Sequence, residues 1–499
     1  MSHVLAIDCG TTNLKAGVIS PSGELLSHSR RSLALHTPEE NAAEHDADEL
    51  FEALVDAARE AVEGYGPDIS VLGLSGYQFG FIPLDSDGQA LTGMITLLDG
   101  RSRAAVSELS ELMPVEELYA KSGLPPMFTS LLAKILWLRK DRPAVFDRTA
   151  CFADIKSFFI HRLTGQLITE PSIAATTQLL NMAEMTWDPD LMSAAGIAED
   201  RLPEVRSGDR LLGPLSDEMT GKLGLSGEVQ LLPGLYDGGA MMVGMGGLSG
   251  REGVCSLGTT TMLRVCVNRP VLDDPATRRL QTYPLFSGTW ATGGGINNAG
   301  VVLQWLKDNL LGGRSYDEVL GEAAEIAPGS QELFCLPYLS GERDPRISEN
   351  ASGLFLGIRQ NHRAGHFCRA VLEGVAYTVN LIKKAASSNG IELDDIRICG
   401  SGSQSDLWCQ IFADVTGVPV QRPAEEDATL TGTAMLAGVA NGVFQNLDEA
   451  SEAMLRTGRT FCPQPEARRK YSRAFRCFEK ILTGAKKMYG THAAYCEEE

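Results

Sequence analysis

Between residues 4 and 33 the apolar positions come in short runs broken by turn-forming residues: Val4, Leu5, Ala6 and Ile7 precede Gly10-Thr11-Thr12, and a second run ends at Pro21-Ser22-Gly23. The spacing predicts strands over 4–7, 14–19 and 24–33 joined by tight turns, a β-meander. After Asp46 the period changes. Leu50, Phe51, Leu54, Val55, Ala58 and Val62 recur on a helical period and stop near Gly64, so Asp46 is expected to cap a helix. A strand over 69–74 follows. Amphipathic helices are predicted over 101–112, 130–139 and 153–163, each punctuated by Pro or Gly.

From 234 to 253 the chain turns rich in Gly, Ala and Met (Asp237-Gly238-Gly239-Ala240-Met241-Met242-Val243-Gly244), small residues that permit close backbone approach. The domain boundary is placed here, giving units 1–247 and 248–499. Beyond it the opening pattern returns: an apolar run over 253–257, then Gly258-Thr259-Thr260-Thr261, then a strand over 262–267. Two hairpins with Gly-Thr-Thr turns, half a chain apart, imply a duplicated domain. Long helices are predicted over 366–387, 405–416, 430–441 and 466–488. In the last, Tyr471, Phe475, Phe478 and Ile481 share one face, which either packs on a core or meets a second copy in a homodimer.

Composition narrows the class. With 499 residues, 43% hydrophobic and 22% charged, the chain has material for large cores, and disordered and fibrous classes are excluded. Its 44 Lys+Arg against 64 Asp+Glu leave a net charge of −20, so neither nucleic acid nor an anionic membrane is expected as partner. Any phosphate must be held by local geometry. The 11 cysteines are scattered and include no Cys-x-x-Cys pair, which predicts reduced thiols and a cytoplasmic location rather than a disulfide framework or zinc site. Asp8 breaks the first apolar run and no window approaches about 18 apolar residues, so neither a signal peptide nor a spanning helix is expected.

A Gly-Thr-Thr turn offers backbone N–H groups unobstructed at glycine plus two hydroxyls, an anion cradle without lysine. A plain hairpin turn is the other reading of each. Asp8 stands directly before the first turn, where its carboxylate would repel phosphate unless a hard cation such as Mg²⁺ lay between them; otherwise it caps the turn. Competing motifs are missing: there is no Gly-x-x-x-x-Gly-Lys-Ser/Thr, no Gly-x-Ser-x-Gly, no metal-ligand spacing among the eight histidines, and Gly244-x-Gly246 lacks a third glycine.

Asp8-Cys9-Gly10-Thr11-Thr12-Asn13-Leu14-Lys15 resembles the first phosphate loop of the FGGY carbohydrate kinases, relatives of glycerol kinase and xylulokinase within the actin-like ATPase superfamily. Ser256-Leu257-Gly258-Thr259-Thr260 is similar to their second phosphate loop, and Gly300-Val301-Val302-Leu303-Gln304-Trp305 to their Gly-x-x-x-x-Trp helix. Leu336-Pro337-Tyr338-Leu339-Ser340-Gly341-Glu342-Arg343-Asp344-Pro345 resembles their mid-domain block. Gly353-x-Phe355-x-Gly357-Ile358 with His366-Phe367-x-x-Ala370-Val371-Leu372-Glu373 resembles their C-terminal signature, and Gly400-Ser401-Gly402-Ser403-Gln404-Ser405 their adenine-side loop. The resemblance runs from residue 6 to about residue 440. It implies an α/β fold of two actin-like ATPase (ribonuclease H-like) domains around a central cleft, sugar on the N-terminal side and ATP on the C-terminal side.

By the same resemblance, the activity is ATP- and Mg²⁺-dependent phosphorylation of a hydroxyl on a small sugar. Asp237, in Gly234-Leu235-Tyr236-Asp237, is the implied base, its other reading being a helix N-cap. Asp8 is implied to organise Mg²⁺. Gly10, Thr11, Thr12, Lys15, Gly258, Thr259 and Thr260 are implied to hold phosphates; Gly300, Gly400, Ser401 and Gln404 are implied to lie against the nucleotide, or the glycines are plain turn residues. On the sugar side Gln78 and Phe79, beside Tyr77, replace a Met-His pair. Leu97-Leu98-Asp99-Gly100-Arg101 keeps the acid and base of a Trp-x-Asp-x-Arg motif without its tryptophan. Asp99 and Arg101 either bind substrate or form a structural ion pair. Gly238 stands where glycerol kinases have glutamine and xylulokinases asparagine. The segment Ser340-Gly341-Glu342-Arg343 is xylulokinase-like, whereas Pro126-Met127-Phe128 is closer to gluconate kinases. The expected acceptor is foremost a ketopentose such as xylulose, or a related ketose or polyol. A gluconate-type sugar acid is second, and an ATP-binding regulator without sugar phosphorylation is the alternative class.

Overall fold

The computed structural model describes all residues except 1, 287, 343–346, 348–349, 425–426, 457 and 498–499, so Arg343, Asp344 and Pro345 of the mid-domain block lie outside the described residues. The predicted meander is present. β1 (His3–Cys9) pairs antiparallel with β2 (Asn13–Ile19), and β2 with β3 (Leu25–Ser32). α1 (Ala47–Ala61) starts where Asp46 accepts from the Asp48 and Glu49 N–H groups, and β4 (Ile69–Gly76) then runs parallel to β1. Helices α2 (Leu131–Asp141) and α3 (Ile155–Thr164) begin at the caps Ser130 and Asp154. Strands β5 (Gly213–Pro214) and β6 (Gln230–Leu232) complete a six-stranded sheet in the order β5-β6-β4-β1-β2-β3. The Gly/Ala/Met segment forms α4 (Asp237–Gly244).

The second half repeats this plan. β7 (Glu252–Leu257) pairs antiparallel with β8 (Thr261–Val267), β9 (Gln281–Phe286) and β10 (Thr289–Ile296) extend one side, and β11 (Asp395–Cys399) lies parallel to β7. α5 (Ala364–Ser388) precedes β11 and α6 (Asp406–Thr416) follows it. With β12 (Val420–Arg422) and β13 (Arg459–Phe461) the sheet order is β9-β10-β8-β7-β11-β12-β13. In both sheets an antiparallel hairpin with a Gly-Thr-Thr turn has a parallel strand beside its first arm, as a duplication requires.

The buried cores do not divide at residue 247. α7 (Ala428–Ala440) returns to the first domain, and its Leu430, Ala434, Met435 and Ala437 join the core of β1, β2 and β4. There α7 crosses α4 at backbone contact. A Cβ on Gly244 would lie 1.8 Å from the Ala428 carbonyl oxygen, and one on Gly432 would lie 1.8 Å from that of Ala240. The last helix, α8 (Pro465–Glu497), runs nine residues beyond its predicted end at 488. Tyr471, Phe475 and Phe478 are buried in the second core with Ile481 packed against it, so that face is internal rather than an oligomer contact. Among the described residues no helix is long and apolar enough to cross a membrane. The cysteines are all free.

Candidate active site

Each Gly-Thr turn closes on a hydrogen bond from its glycine, to the third residue ahead in the first turn and the second in the other. The Gly10 N–H donates to the Asn13 carbonyl and the Gly258 N–H to that of Thr260, both at 2.9 Å, and Thr12, Thr259 and Thr260 are exposed at the tips. The second turn is braced from behind: the Gly300 N–H donates to the Gly258 carbonyl at 2.8 Å and the Ala299 N–H to that of Thr259 at 3.1 Å. A Cβ on Gly300 would come within 2.6 Å of the Gly258 oxygen, and one on Gly400, at φ 92°, within 2.6 Å of the Leu257 oxygen. The protein itself therefore requires both glycines. Ser401 and Gln404 are exposed on the turn between β11 and α6, and Ser405 caps α6.

Asp237 opens α4. The N-cap is Tyr236, so Asp237 is not the cap; its carboxylate accepts the Gly238 N–H at 2.6 Å. Burial raises its pKa above the ordinary carboxylate range, partly countered by the charge of Arg264 and by the Gly238 N–H. Asp8, at the end of β1 and in register with Lys15 and Ser75, is pushed up to about 7, by burial first and then by the charges of Asp237 and Asp427. One Asp8 oxygen is buried with no hydrogen-bond partner. Lys15 donates to Asp427 at 2.6 Å; burial pulls its ammonium down, but Asp427 more than offsets this and its pKa is raised.

A carboxylate at Asp8 that the charges of Asp237 and Asp427 raise, with one oxygen left unpaired, fits a hard divalent cation. The described residues contain no group of three or more His, Cys, Asp or Glu poised as metal ligands. Mg²⁺ binds through one or two carboxylates and takes its remaining oxygens from water and substrate phosphates.

On the facing side, the loop after β4 carries Tyr77, Gln78 and Phe79. Tyr77 packs edge-on to His45 at 6.2 Å, and its hydroxyl, like the Gln78 Nε2, is buried without a partner. Phe79 sits at φ 67°, and its carbonyl accepts from Lys134 Nζ at 2.6 Å. Asp99 and Arg101 are committed elsewhere. Arg101 binds Asp99, Glu39 and Glu44 and lies over the Trp137 ring, while Asp99 also accepts the Ala43 N–H. Of their two readings, this geometry is the structural ion pair.

Three residues escaped the sequence analysis. Asp427 caps α7 and meets Lys15 across most of the chain, a pairing with no local signal. Lys134 is wholly buried in α2, and burial lowers its pKa to about 7. Arg264 is the lone charge in the apolar run of β8, which was its available signal. It is 7% exposed, its guanidinium lies 5.5 Å over the Tyr236 ring, and its Nε has no hydrogen-bond partner.

Residues 3–244 match the N-terminal domain, and residues 253–441 the C-terminal domain, of the FGGY family of carbohydrate kinases. The chain is 27% identical to a gluconokinase of Bacillus licheniformis, over 99% of this chain and 98% of the relative. It is likewise 27% identical to a xylulose kinase of Bacillus subtilis, over 97% and 98%. The crystal structure of gluconate kinase from Lactobacillus acidophilus superposes with a TM-score of 0.93 at 26% identity, covering 98% of this chain and 99% of that one. A duplicated α/β fold with paired Gly-Thr turns, an aspartate at the head of α4 and matches across both halves place the chain in the FGGY family of carbohydrate kinases, as a sugar kinase.

Proposed function

We propose that the chain transfers the γ-phosphate of ATP to a hydroxyl of a small polyhydroxylated acceptor, a ketose, polyol or sugar acid, bound between the Tyr77–Phe79 loop and Asp237. The observation that carries this is Asp237, a carboxylate at the head of α4 whose pKa is raised by desolvation and whose charge raises that of Asp8. The acceptor oxygen attacks the γ-phosphorus, the bond to ADP breaks, and the acceptor proton passes to Asp237. The turns at Gly10-Thr11-Thr12 and Gly258-Thr259-Thr260 would hold phosphate oxygens through N–H and hydroxyl groups. Asp8 would hold Mg²⁺, which supplies charge neutralisation on the phosphates. Gly300, Gly400, Ser401 and Gln404 line the nucleotide side in this reading.

The test is ADP release from MgATP across ketoses, polyols and sugar acids, with Asp237→Ala alongside. Stimulation by one class that the variant abolishes supports the reading. ATP binding without stimulation by any acceptor sinks it in favour of an ATP-binding regulator.

A further inference from the structure

Arg264 is the unexplained group of the cleft. A guanidinium has five donors in a planar fork, and burying one without a partner is costly. Here Nε has none, although the residue is 7% exposed. Asp237 acts on it by charge, but the hydrogen bond that the Asp237 carboxylate accepts comes from the Gly238 backbone. Tyr236 holds the guanidinium plane from one side, a cation–π contact that orients without consuming its donors.

The space for this cation is made by Gly238. A Cβ there would lie 2.7 Å from Arg264 Nη1 and 2.8 Å from Cζ, so a side chain at 238 would displace the guanidinium from this position. Gly238 directly follows the proposed base, so the guanidinium sits where it can meet an acceptor whose hydroxyl faces Asp237. Arg264 lies four residues beyond Thr260 along β8, about 13 Å of extended strand from the second phosphate turn. Phosphates held at that turn are therefore poor candidates for its partner. Asp8, Asp237 and Asp427 make the surroundings strongly anionic, and an acidic acceptor could enter only against a compensating cation.

We infer that Arg264 is a specificity-determining residue that reads a carboxylate on the acceptor, and that the substrate class is sugar acids of the aldonate type. The inference rests on the kinase reading above. A carboxylate gives the fork a bidentate partner. A neutral ketose or polyol offers the fork only uncharged hydroxyl acceptors, which neither match its bidentate geometry nor compensate its buried charge, and a site built for a carboxylate discriminates against them.

The experiment measures kcat/KM for ADP release with gluconate and xylonate against xylulose and xylitol, in the wild type, Arg264→Met and Arg264→Lys. Calorimetric titration of gluconate into Asp237→Asn, with and without Arg264→Met, reads binding independently of turnover. The expected result is an aldonate preference of at least about 100-fold. Arg264→Met should remove it mainly through KM, leave the KM for ATP unchanged, and retain a thermal midpoint at or above that of the wild type. Arg264→Lys should recover part of the loss. Preference for a neutral acceptor, gluconate affinity that Arg264→Met does not weaken, or a rise in the KM for ATP equal across acceptors would each overturn the assignment. In the first and third cases the kinase reading survives. Absence of turnover with every acceptor defeats the kinase reading, and the gluconate titration then still decides whether Arg264 binds a carboxylate.

Discussion

Lys15 Nζ and Asp427 Oδ2 meet at 2.6 Å although 412 residues separate them in the chain. The pair joins β2, just past the first Gly-Thr turn, to the cap of α7, so the turn is tied to the helix that crosses between the domains. Lys15 is 39% exposed, which lets its ammonium exchange Asp427 for a phosphate oxygen. Lys15→Met is expected to raise the KM for ATP about tenfold, the worth of one charge-assisted hydrogen bond. Asp427→Asn keeps the cap and frees the ammonium, and should leave that KM within about twofold, since asparagine caps as well as aspartate. Equal losses in both variants would mean that the pair only fixes the domains.

The raised pKa of Asp237 predicts opposite effects on activity and stability. Its charged form is disfavoured by burial, so the acid contributes stability below the ordinary carboxylate range and loses it as pH rises through its elevated folded value. Above that value the folded protein carries a charge that burial disfavours. Asp237→Asn should therefore melt no lower than the wild type while kcat falls by about 10²- to 10⁴-fold, the usual share of a general base. A lower melting point with intact turnover would contradict both halves of the argument.

Gly244 and Gly432 predict a cost that small-residue substitution normally lacks. Alanine in a helix is ordinarily favoured over glycine, but here each Cβ would drive into a backbone oxygen at 1.8 Å, which cannot rotate away. Gly244→Ala or Gly432→Ala should lower stability by about 2 kcal/mol or more in denaturant titration. Because α4 carries Asp237 and α7 carries the Asp427 cap, kcat should fall along with it.

What could be read without coordinates was what depends on neighbours in sequence. The Gly-Thr hairpins, the cap Asp46, the helices predicted to begin at residues 130 and 405, and the conversion of the segment after Tyr236 into a helix all rest on local spacing, and each is present. The division of the cores was hidden because α7 is apolar on nearly every side and its composition does not say which sheet it covers. Arg264 and Asp427 were hidden for a related reason. A single charge in an apolar strand, or an aspartate before a helix, looks the same whether its partner is solvent, a distant residue or a ligand. Asp99 and Arg101 show the converse: a motif that suggested substrate contact is occupied by Glu39 and Glu44, whose proximity no spacing reveals.

Lys134 supplies a prediction with a distinctive pH signature. Its ammonium donates to the carbonyls of Phe79 at 2.6 Å and Thr96 at 3.0 Å, so it fastens the Tyr77–Phe79 loop to α2 from inside the core. Burial lowers its pKa from 10.5 to about 7, so above pH 7 the unfolded chain holds a proton that the folded one has released. More protons bound in the unfolded state means that this lysine's contribution to stability rises with pH, by up to about 1.4 kcal/mol per unit. Between pH 7 and 8.5, below the range in which the buried thiols titrate, the gap in unfolding free energy between wild type and Lys134→Met should widen as pH increases. The variant should be the less stable throughout, having left the buried Phe79 carbonyl without a donor, at about 1–3 kcal/mol. Its KM for the acceptor should rise while that for ATP holds, because the Phe79 loop and not the phosphate turns is loosened. Parallel stability curves would show that Lys134 stays charged across this range.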